Sequence, residues 1–459
     1  MKIIILGAGQ VGRTAAYNLA REPDNEVTVV DVNDDLLRDL QDRLDIRTVS
    51  GNAAHPSILE TAGAADAEIL VALTSSDEVN MLACQIAHTL FRTPTKIARI
   101  RSADYSNRKD LYGETGLAVD MWISPEQLVT DYIVQLIHYP GALQVLDFAD
   151  GKVRLVGVRA LRGGPLVGQK LRTLKEHIPN TDARVAAIYR EGRGIVPEGD
   201  TVIEHGDEVF FLAASKDINL VMNEMRKAED PVRRVVIAGG GNIGLRLASQ
   251  LEKHNSVKLI ERDPRRARRV SEHLASTVVL SGDAADEELL LEENIDSADV
   301  FAAVTNSEEA NILSAMLAKR LGAHKVMALI NKPSYAELME SGSSLDIAIS
   351  PQTVTIGSLL AHVRRGDVVR VHSLRRGAAE AMEVVIHGEA STSRVVGRRI
   401  EDVALPEGTT IGAIVRGEDV IIAHHDTVLQ ADDHVILFLT DRRQVEAVQQ
   451  LFQVGAGLI

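Results

Sequence analysis

Two segments of this 459-residue chain carry three glycines at one shared spacing. The first reads Gly7-Ala8-Gly9-Gln10-Val11-Gly12 and the second Gly239-Gly240-Gly241-Asn242-Ile243-Gly244. A Gly-x-Gly-x-x-Gly turn between a strand and a helix suits one task, holding a pyrophosphate. One glycine makes the tight turn, one lets the backbone approach the phosphates, and one lets helix pack on strand. The helix N-terminus adds free N–H groups and partial positive charge. An acid ends the next apolar run in each copy, Asp31 after Val27-Thr28-Val29-Val30 and Glu261 after Val257-Lys258-Leu259-Ile260. These acids lie 19 residues beyond Gly12 and 17 beyond Gly244. Both are near the ~20 expected of a group that holds adenosine ribose hydroxyls. In the first copy Asp31 disfavours a ribose 2′-phosphate, so NAD(H) is expected over NADP(H) there.

Other polar residues fall at the same edge. Thr74 and Ser75 follow the apolar run 69–73, where open α/β sheets bind ligands. Their alternative role is to cap the helix expected from Asp77. Arg99 and Arg101 alternate out of the run 96–100, and either could fork onto phosphate or form a salt bridge. In the second copy Thr305 and Asn306 replace Thr74 and Ser75, Ala328 stands for Arg99, and Asn331 most nearly for Arg101. The two sites should therefore differ in affinity, ligand choice or both. The run Arg262-Asp263-Pro264-Arg265-Arg266-Ala267-Arg268-Arg269 reads as a solvated helix face, with Arg262 against a phosphate as the alternative.

These residues need a scaffold, and the pattern supplies one. Strand-like 69–73, helix-like 77–90 and strand-like 96–100 alternate as in a parallel sheet with helices on both faces. Ser124-Pro125 and Ser350-Pro351 read as N-caps with proline at the first helical position. Val129, Ile133, Leu136 and Ile137 then give helical apolar spacing. Such a helix could lie over its own sheet or cross to a neighbouring subunit. Short β-like runs follow at 145–148, 153–158, 183–189 and 209–212, echoed at 384–387, 411–415, 420–423 and 435–439. Ser50-Gly51-Asn52-Ala53 matches Ser281-Gly282-Asp283-Ala284, and Leu73 to Asn80 matches Val304 to Asn311, so half the chain is duplicated. The expected class is α/β. Rossmann-type parallel-sheet N-lobes span 1–140 and 232–366, each followed by a small, mainly β (α+β) C-lobe at 141–228 and 367–459.

Composition narrows the function classes. With 3% aromatic residues, the cores must rest on Val, Ile, Leu and Ala. A net charge of −15 argues against a nucleic-acid partner. Cys84 stands alone, which excludes a disulfide framework or thiol cluster and makes it a small core residue. No apolar stretch approaches the ~18–20 residues of a membrane span, and cleavage of a leader would destroy the first glycine turn. A cytoplasmic protein is expected. His424-His425 are adjacent on a β-like run and make a poor metal pair, and no HExxH, GxSxG or P-loop pattern occurs. Sensing is the expected role, with an NAD-linked oxidoreductase as the alternative.

The two glycine turns with their acids, Leu73-Thr74-Ser75-Ser76-Asp77-Glu78, Ile97-Ala98-Arg99-Ile100-Arg101 and a small domain closing each half resemble the TrkA family. This family is built from tandem RCK (KTN) domains, and the resemblance covers the whole chain. It implies a non-enzymatic regulatory subunit of a bacterial Trk potassium-uptake system, peripheral on the inner face of the cell membrane. It also implies a homo-oligomeric ring, a tetramer, beneath a potassium-conducting subunit of the TrkH or TrkG type. The implied ligand is NAD(H), with ATP or ADP taken by some members in the same cleft. Carried over by position, the contacts are Gly7, Ala8, Gly9, Gln10, Val11, Gly12, Asp31, Thr74, Ser75 and Arg99. In the second copy they are Gly239, Gly240, Gly241, Asn242, Ile243, Gly244, Glu261, Thr305 and Asn306.

Overall fold

Each half of the chain begins with a six-stranded sheet. In the first, β1 (Lys2–Leu6), α1 (Gln10–Leu19), β2 (Glu26–Asp31), α2 (Asp34–Gln41) and β3 (Arg47–Ser50) precede β4 (Ile69–Ala72), α3 (Asp77–Ile86), β5 (Thr95–Arg99) and β6 (Met121–Ile123). All neighbours run parallel, in the order β3-β2-β1-β4-β5-β6. Ile3, Ile4, Ile5 and Leu6 are at most 2% exposed. Burial on both faces is what a run of consecutive branched side chains in a parallel strand satisfies. The order reverses between β1 and β4, which opens a crevice over their carboxyl ends. The computed structural model describes residues 1–459 except 23, 114–115, 196, 333–334, 336–343, 364–367, 375–378, 441 and 454–459. The expected boundary at 366/367 and the chain end at 459 lie outside the described residues.

Helix α4 (Pro125–His138) leads into five strands, β7 (Ala142–Phe148), β8 (Val153–Arg159), β9 (Ala183–Arg190), β10 (Arg193–Ile195) and β11 (Glu208–Ala214). They form an antiparallel sheet in the order β10-β9-β11-β8-β7. The second half repeats both parts. A parallel sheet holds β12 (Arg234–Ala238), α5 (Asn242–Leu251), β13 (Ser256–Glu261), α6 (Pro264–His273), β14 (Val278–Ser281), β15 (Val300–Ala303), α7 (Glu308–Arg320), β16 (Lys325–Leu329) and β17 (Ile347–Ile349). Its order, β14-β13-β12-β15-β16-β17, is that of the first. After α8 (Pro351–Val363), β18 (Val368–Leu374), β19 (Ala379–Val385), β20 (Thr409–Arg416), β21 (Asp419–Ile422) and β22 (His434–Leu439) close the last antiparallel sheet.

The chain packs as two bodies, one of 1–129 with 350–359 and one of the described residues of 130–349 and 360–459. Each contains part of a helix from the other half of the sequence. In the first body Thr14 Oγ1 on α1 lies 3.1 Å from Gln352 Oε1 on α8. In the second, Gln250 Nε2 on α5 donates to Asp131 Oδ1 on α4 at 3.3 Å. In addition to the two alternatives open from sequence, these helices therefore reach the other half of their own chain.

The two antiparallel sheets share one core in the second body. Phe148, Leu155, Phe210 and Leu212 pack with Ala381, Val415, Ile436 and Phe438. Gly157 and Gly412 make room for the rings, since a Cβ at either would stand 2.6 Å from Phe210 or 2.4 Å from Phe438. The same clasp recurs in both sheets. Arg190 Nε and Nη2 donate to the two oxygens of buried Asp207 at 2.8 and 2.9 Å, and Arg416 repeats this on Asp433 at the same distances.

Candidate functional site

At the carboxyl end of β1 the three glycines meet three different demands. Gly7 has φ +102°, a left-handed conformation natural to glycine, and a Cβ there would sit 2.9 Å from the Leu73 carbonyl oxygen. A Cβ on Gly12 would sit 1.8 Å from the Gly7 oxygen, so this glycine lets α1 close onto the strand. Gly9 is the exception, because a Cβ there would meet nothing within 4 Å. No packing reason requires glycine at Gly9, and the open space beside it is what a pyrophosphate approaching the backbone needs. Gly9 is also the N-cap of α1 and supplies no side-chain cap, whereas Asn33 caps α2 and Ser76 caps α3. The N–H groups of the first turn of α1 thus receive no capping side chain.

Asp31 ends β2 beside this turn. Its Oδ2 accepts the Ala8 N–H at 2.6 Å and its Oδ1 the Asn33 N–H at 2.8 Å. These bonds aim the carboxylate and leave each oxygen a further lone pair for a ribose hydroxyl. Gln10 is exposed and Val11 half-buried at the start of α1.

The second turn is built alike, with Gly239 at φ +111°, Gly244 1.8 Å from the Gly239 oxygen by the same construction, and open space at Gly241. Gly241 again caps α5 without a side chain, and Asn242 is exposed while Ile243 is half-buried. The acid differs. Glu261 is 6% exposed, accepts Gly240 N–H and Asp263 N–H at 2.8 Å each, and has Arg266 Nη1 3.7 Å from Oε2. A Cβ at residue 240 would stand 3.1 Å from Glu261 Oε2. Glycine at 240 thus leaves room for the longer acid, where the first copy has Ala8 beside the shorter Asp31.

The loop after β4 is organised by a residue that sequence reasoning passed over. Asn80 is fully buried; its Oδ1 accepts Thr74 N–H at 2.9 Å and Thr74 Oγ1–H at 2.7 Å, and its Nδ2 donates to the carbonyls of Thr74 and Arg99. It ties the ends of β4 and β5 together. Asn311 does the same for Thr305 and Leu329. The aligned asparagines at 80 and 311 were the available signal. The cap of α3 is Ser76, whose Oγ accepts Val79 N–H at 3.2 Å, rather than Thr74 or Ser75. Ser75 and its counterpart Asn306 are exposed at the edge of the crevice.

Arg99 meets a carboxylate. Its Nη2 donates to Glu126 Oε1 on α4 at 3.1 Å, with both side chains under one-fifth exposed. Arg101 instead bonds the Ser75 carbonyl. The strand register corrects the alignment of the second copy: Ala98 pairs with Ala72 as Ala328 pairs with Ala303. The counterpart of Arg99 is thus Leu329, and Arg101 corresponds to Asn331. His424 and His425 lie just beyond β21, not on it. Among the described residues no group of three or more His, Cys, Asp or Glu could hold a metal ion. Cys84 is buried, and burial pushes its thiol up to about 12.

The sequence families agree with this architecture. The TrkA-N domain model matches residues 3–125 and 235–351, and the TrkA-C domain model matches 155–226 and 382–453. The Trk system potassium uptake protein TrkA of Halomonas elongata is 59% identical over 99% of both chains. That of Vibrio alginolyticus is likewise 59% identical over 99% of both. A structure of the GsuK channel bound to NAD has the same fold, with a TM-score of 0.60 at 19% identity over 98% of this chain and 78% of the channel chain. No described helix is long and apolar enough to cross a membrane. With both domain types in tandem and relatives matched end to end, the chain belongs to the TrkA family of Trk system potassium-uptake proteins.

Proposed function

We propose that the chain is a nucleotide-responsive regulatory subunit that gates a membrane potassium-conducting partner. The observation that carries the reading is the open space at Gly9 under an uncapped helix N-terminus. Gly7 to Gly12 would cradle the pyrophosphate of NAD(H), Asp31 would hold the adenosine ribose, and Thr74 and Ser75 would line the edge of the crevice. Arg99 would serve phosphate only by loosening its hold on Glu126. ATP or ADP would use the same phosphate turn. The second turn, Gly239 to Gly244 with Glu261, Thr305 and Asn306, would form a second site lacking the arginine.

The domain limits 1–140, 141–228, 232–366 and 367–459 complete this reading. So does a homo-oligomeric ring, taken as a tetramer, on the cytoplasmic side of a TrkH- or TrkG-type subunit. Nucleotide acts by binding two shapes of the ring unequally. A coupling of ~1–3 kcal/mol changes channel activity by roughly 5–150-fold, enough for regulation without chemistry on the nucleotide.

The test is potassium uptake by cells deficient in their own systems, with the membrane partner alone or together with this chain. Uptake should rise with the chain and lose its nucleotide response with Asp31→Ala. Unchanged NADH affinity in that variant would remove Asp31 from the site.

A further inference from the structure

The mouths of the two crevices carry opposite charge. From Asp31 to Asp39 the first copy has four aspartates and one arginine, a formal charge of −3. The corresponding stretch from Glu261 to Arg269 has two acids and five arginines, +3. Position by position, Arg262, Arg265 and Arg269 replace Val32, Asp35 and Asp39. Arg265 and Arg269, four apart, share one side of α6, and Arg262 precedes the helix by two residues.

Their surroundings leave that charge available. All three are exposed, and none forms an ion pair with another described residue. Arg266 is turned to Glu261 at 3.7 Å, and Arg268 to Glu272 at 3.6 Å. In the first copy Asp35 is paired with Arg38 and Asp39 with Arg13 and Arg43. The carboxylates that face the cluster are already engaged. Asp263 caps α6 through the N–H groups of Arg265 and Arg266, and Glu261 is folded under two backbone N–H groups. The acid beside the ribose position is thus buried, with Arg266 3.7 Å from it, while three exposed guanidinium groups begin one residue after it. Arginine forks match phosphate oxygens.

We propose that the second glycine turn takes a dinucleotide bearing an additional phosphate on its adenosine ribose, held by Arg262, Arg265 and Arg269. The proposal rests on the reading that the glycine turns bind nucleotide, and it assigns the two halves different ligands, the first unphosphorylated at this ribose.

The full-length chain is titrated calorimetrically with NAD+, NADP+ and inorganic phosphate at about 0.15 M ionic strength. It is compared with Gly9→Ala, which weakens the first site, and with Gly9→Ala carrying Arg262→Ser, Arg265→Ser and Arg269→Ser. In Gly9→Ala the second site should prefer NADP+ over NAD+ by about tenfold, ~1.4 kcal/mol. The three serines should erase that preference and leave NAD+ affinity and melting temperature unchanged. Equal affinities, or a preference that survives the serines, overturn the proposal. Binding of neither nucleotide in Gly9→Ala, with NAD+ still bound by the wild type, overturns it and leaves the first site standing. Failure of the wild type to bind NAD+ removes the underlying reading instead. Displacement of NADP+ by equimolar inorganic phosphate would make the arginines a free-phosphate site. Arginine-dependent binding to phosphatidylglycerol vesicles without NADP+ preference would assign them to a membrane surface; either outcome overturns the proposal.

Discussion

Gly9 and Gly12 belong to one motif, yet replacing them with alanine should have opposite consequences. At Gly12 the new methyl would stand 1.8 Å from the Gly7 oxygen and 2.9 Å from its carbonyl carbon. Both are backbone atoms, so no rotamer relieves the clash, and α1 must lift from β1. Overpacking of this kind costs about 3 kcal/mol or more. At Gly9, φ −66° and ψ −175° suit alanine, and its methyl enters open space. The lower entropy of the unfolded chain offsets any loss at the N-cap, leaving stability within about 0.5 kcal/mol of wild type. That methyl would occupy the pyrophosphate's approach and should weaken NADH binding by about tenfold or more, ~1.4 kcal/mol. Thermal melting and NADH titration on both variants separate the effects. Wild-type NADH affinity in Gly9→Ala, or wild-type melting in Gly12→Ala, would refute the argument.

Asn80→Ala strips Thr74 N–H and the Arg99 carbonyl of partners in a buried place, and should cost about 2–4 kcal/mol by urea unfolding; a loss under 1 kcal/mol would show the strand ends do not need the tie. Asp207→Asn breaks the two-pronged bond from Arg190, whose side chain is 30% exposed, and should cost about 2 kcal/mol after solvent screening is allowed for. Asp433→Asn should behave alike, and a difference beyond about 1 kcal/mol would mean that the repeated clasps are not equivalent. Burial pushes His372 down to about 4 despite the Asp147 carbonyl at 3.3 Å. Because the folded value is depressed, its contribution is complete above the unfolded value of about 6.5 and is lost as pH falls towards 4. His372→Phe should flatten the acid limb of the stability profile by about 2 kcal/mol, and an unchanged limb would remove this histidine as the cause.

The parallel sheets were the most legible part of the chain. Expected strands 69–73 and 96–100 fall within a residue of β4 and β5, because their short length and the helical stretch between them fit βα alternation. The last antiparallel sheet was harder. β18 was missed because a register shift between Val368 and Arg370 breaks the two-residue alternation. β19 was placed at 384–387 instead of Ala379–Val385 because it buries Glu380 and Glu383. Glu383 accepts Ala149 N–H at 2.9 Å and meets His434 at 2.6 Å, partners distant in sequence. At the candidate site the glycines and acids could be read from spacing. The work of Asn80 could not, since it acts on backbone groups brought together by the sheet. Arg99 likewise needed strand register and the position of Glu126.

Ala8 with Asp31 and Gly240 with Glu261 are two versions of one junction, and they impose an order on change. A glutamate at the end of the strand crowds a methyl in the turn, whereas glycine in the turn is compatible with either acid. Starting from an ancestor with alanine and aspartate, the smoother route loses the methyl first and lengthens the acid second. The reverse order passes through a strained intermediate. Recombining turns and acids singly should expose the same asymmetry, with Gly240→Ala beside Glu261 costing more than Ala8→Gly beside Asp31.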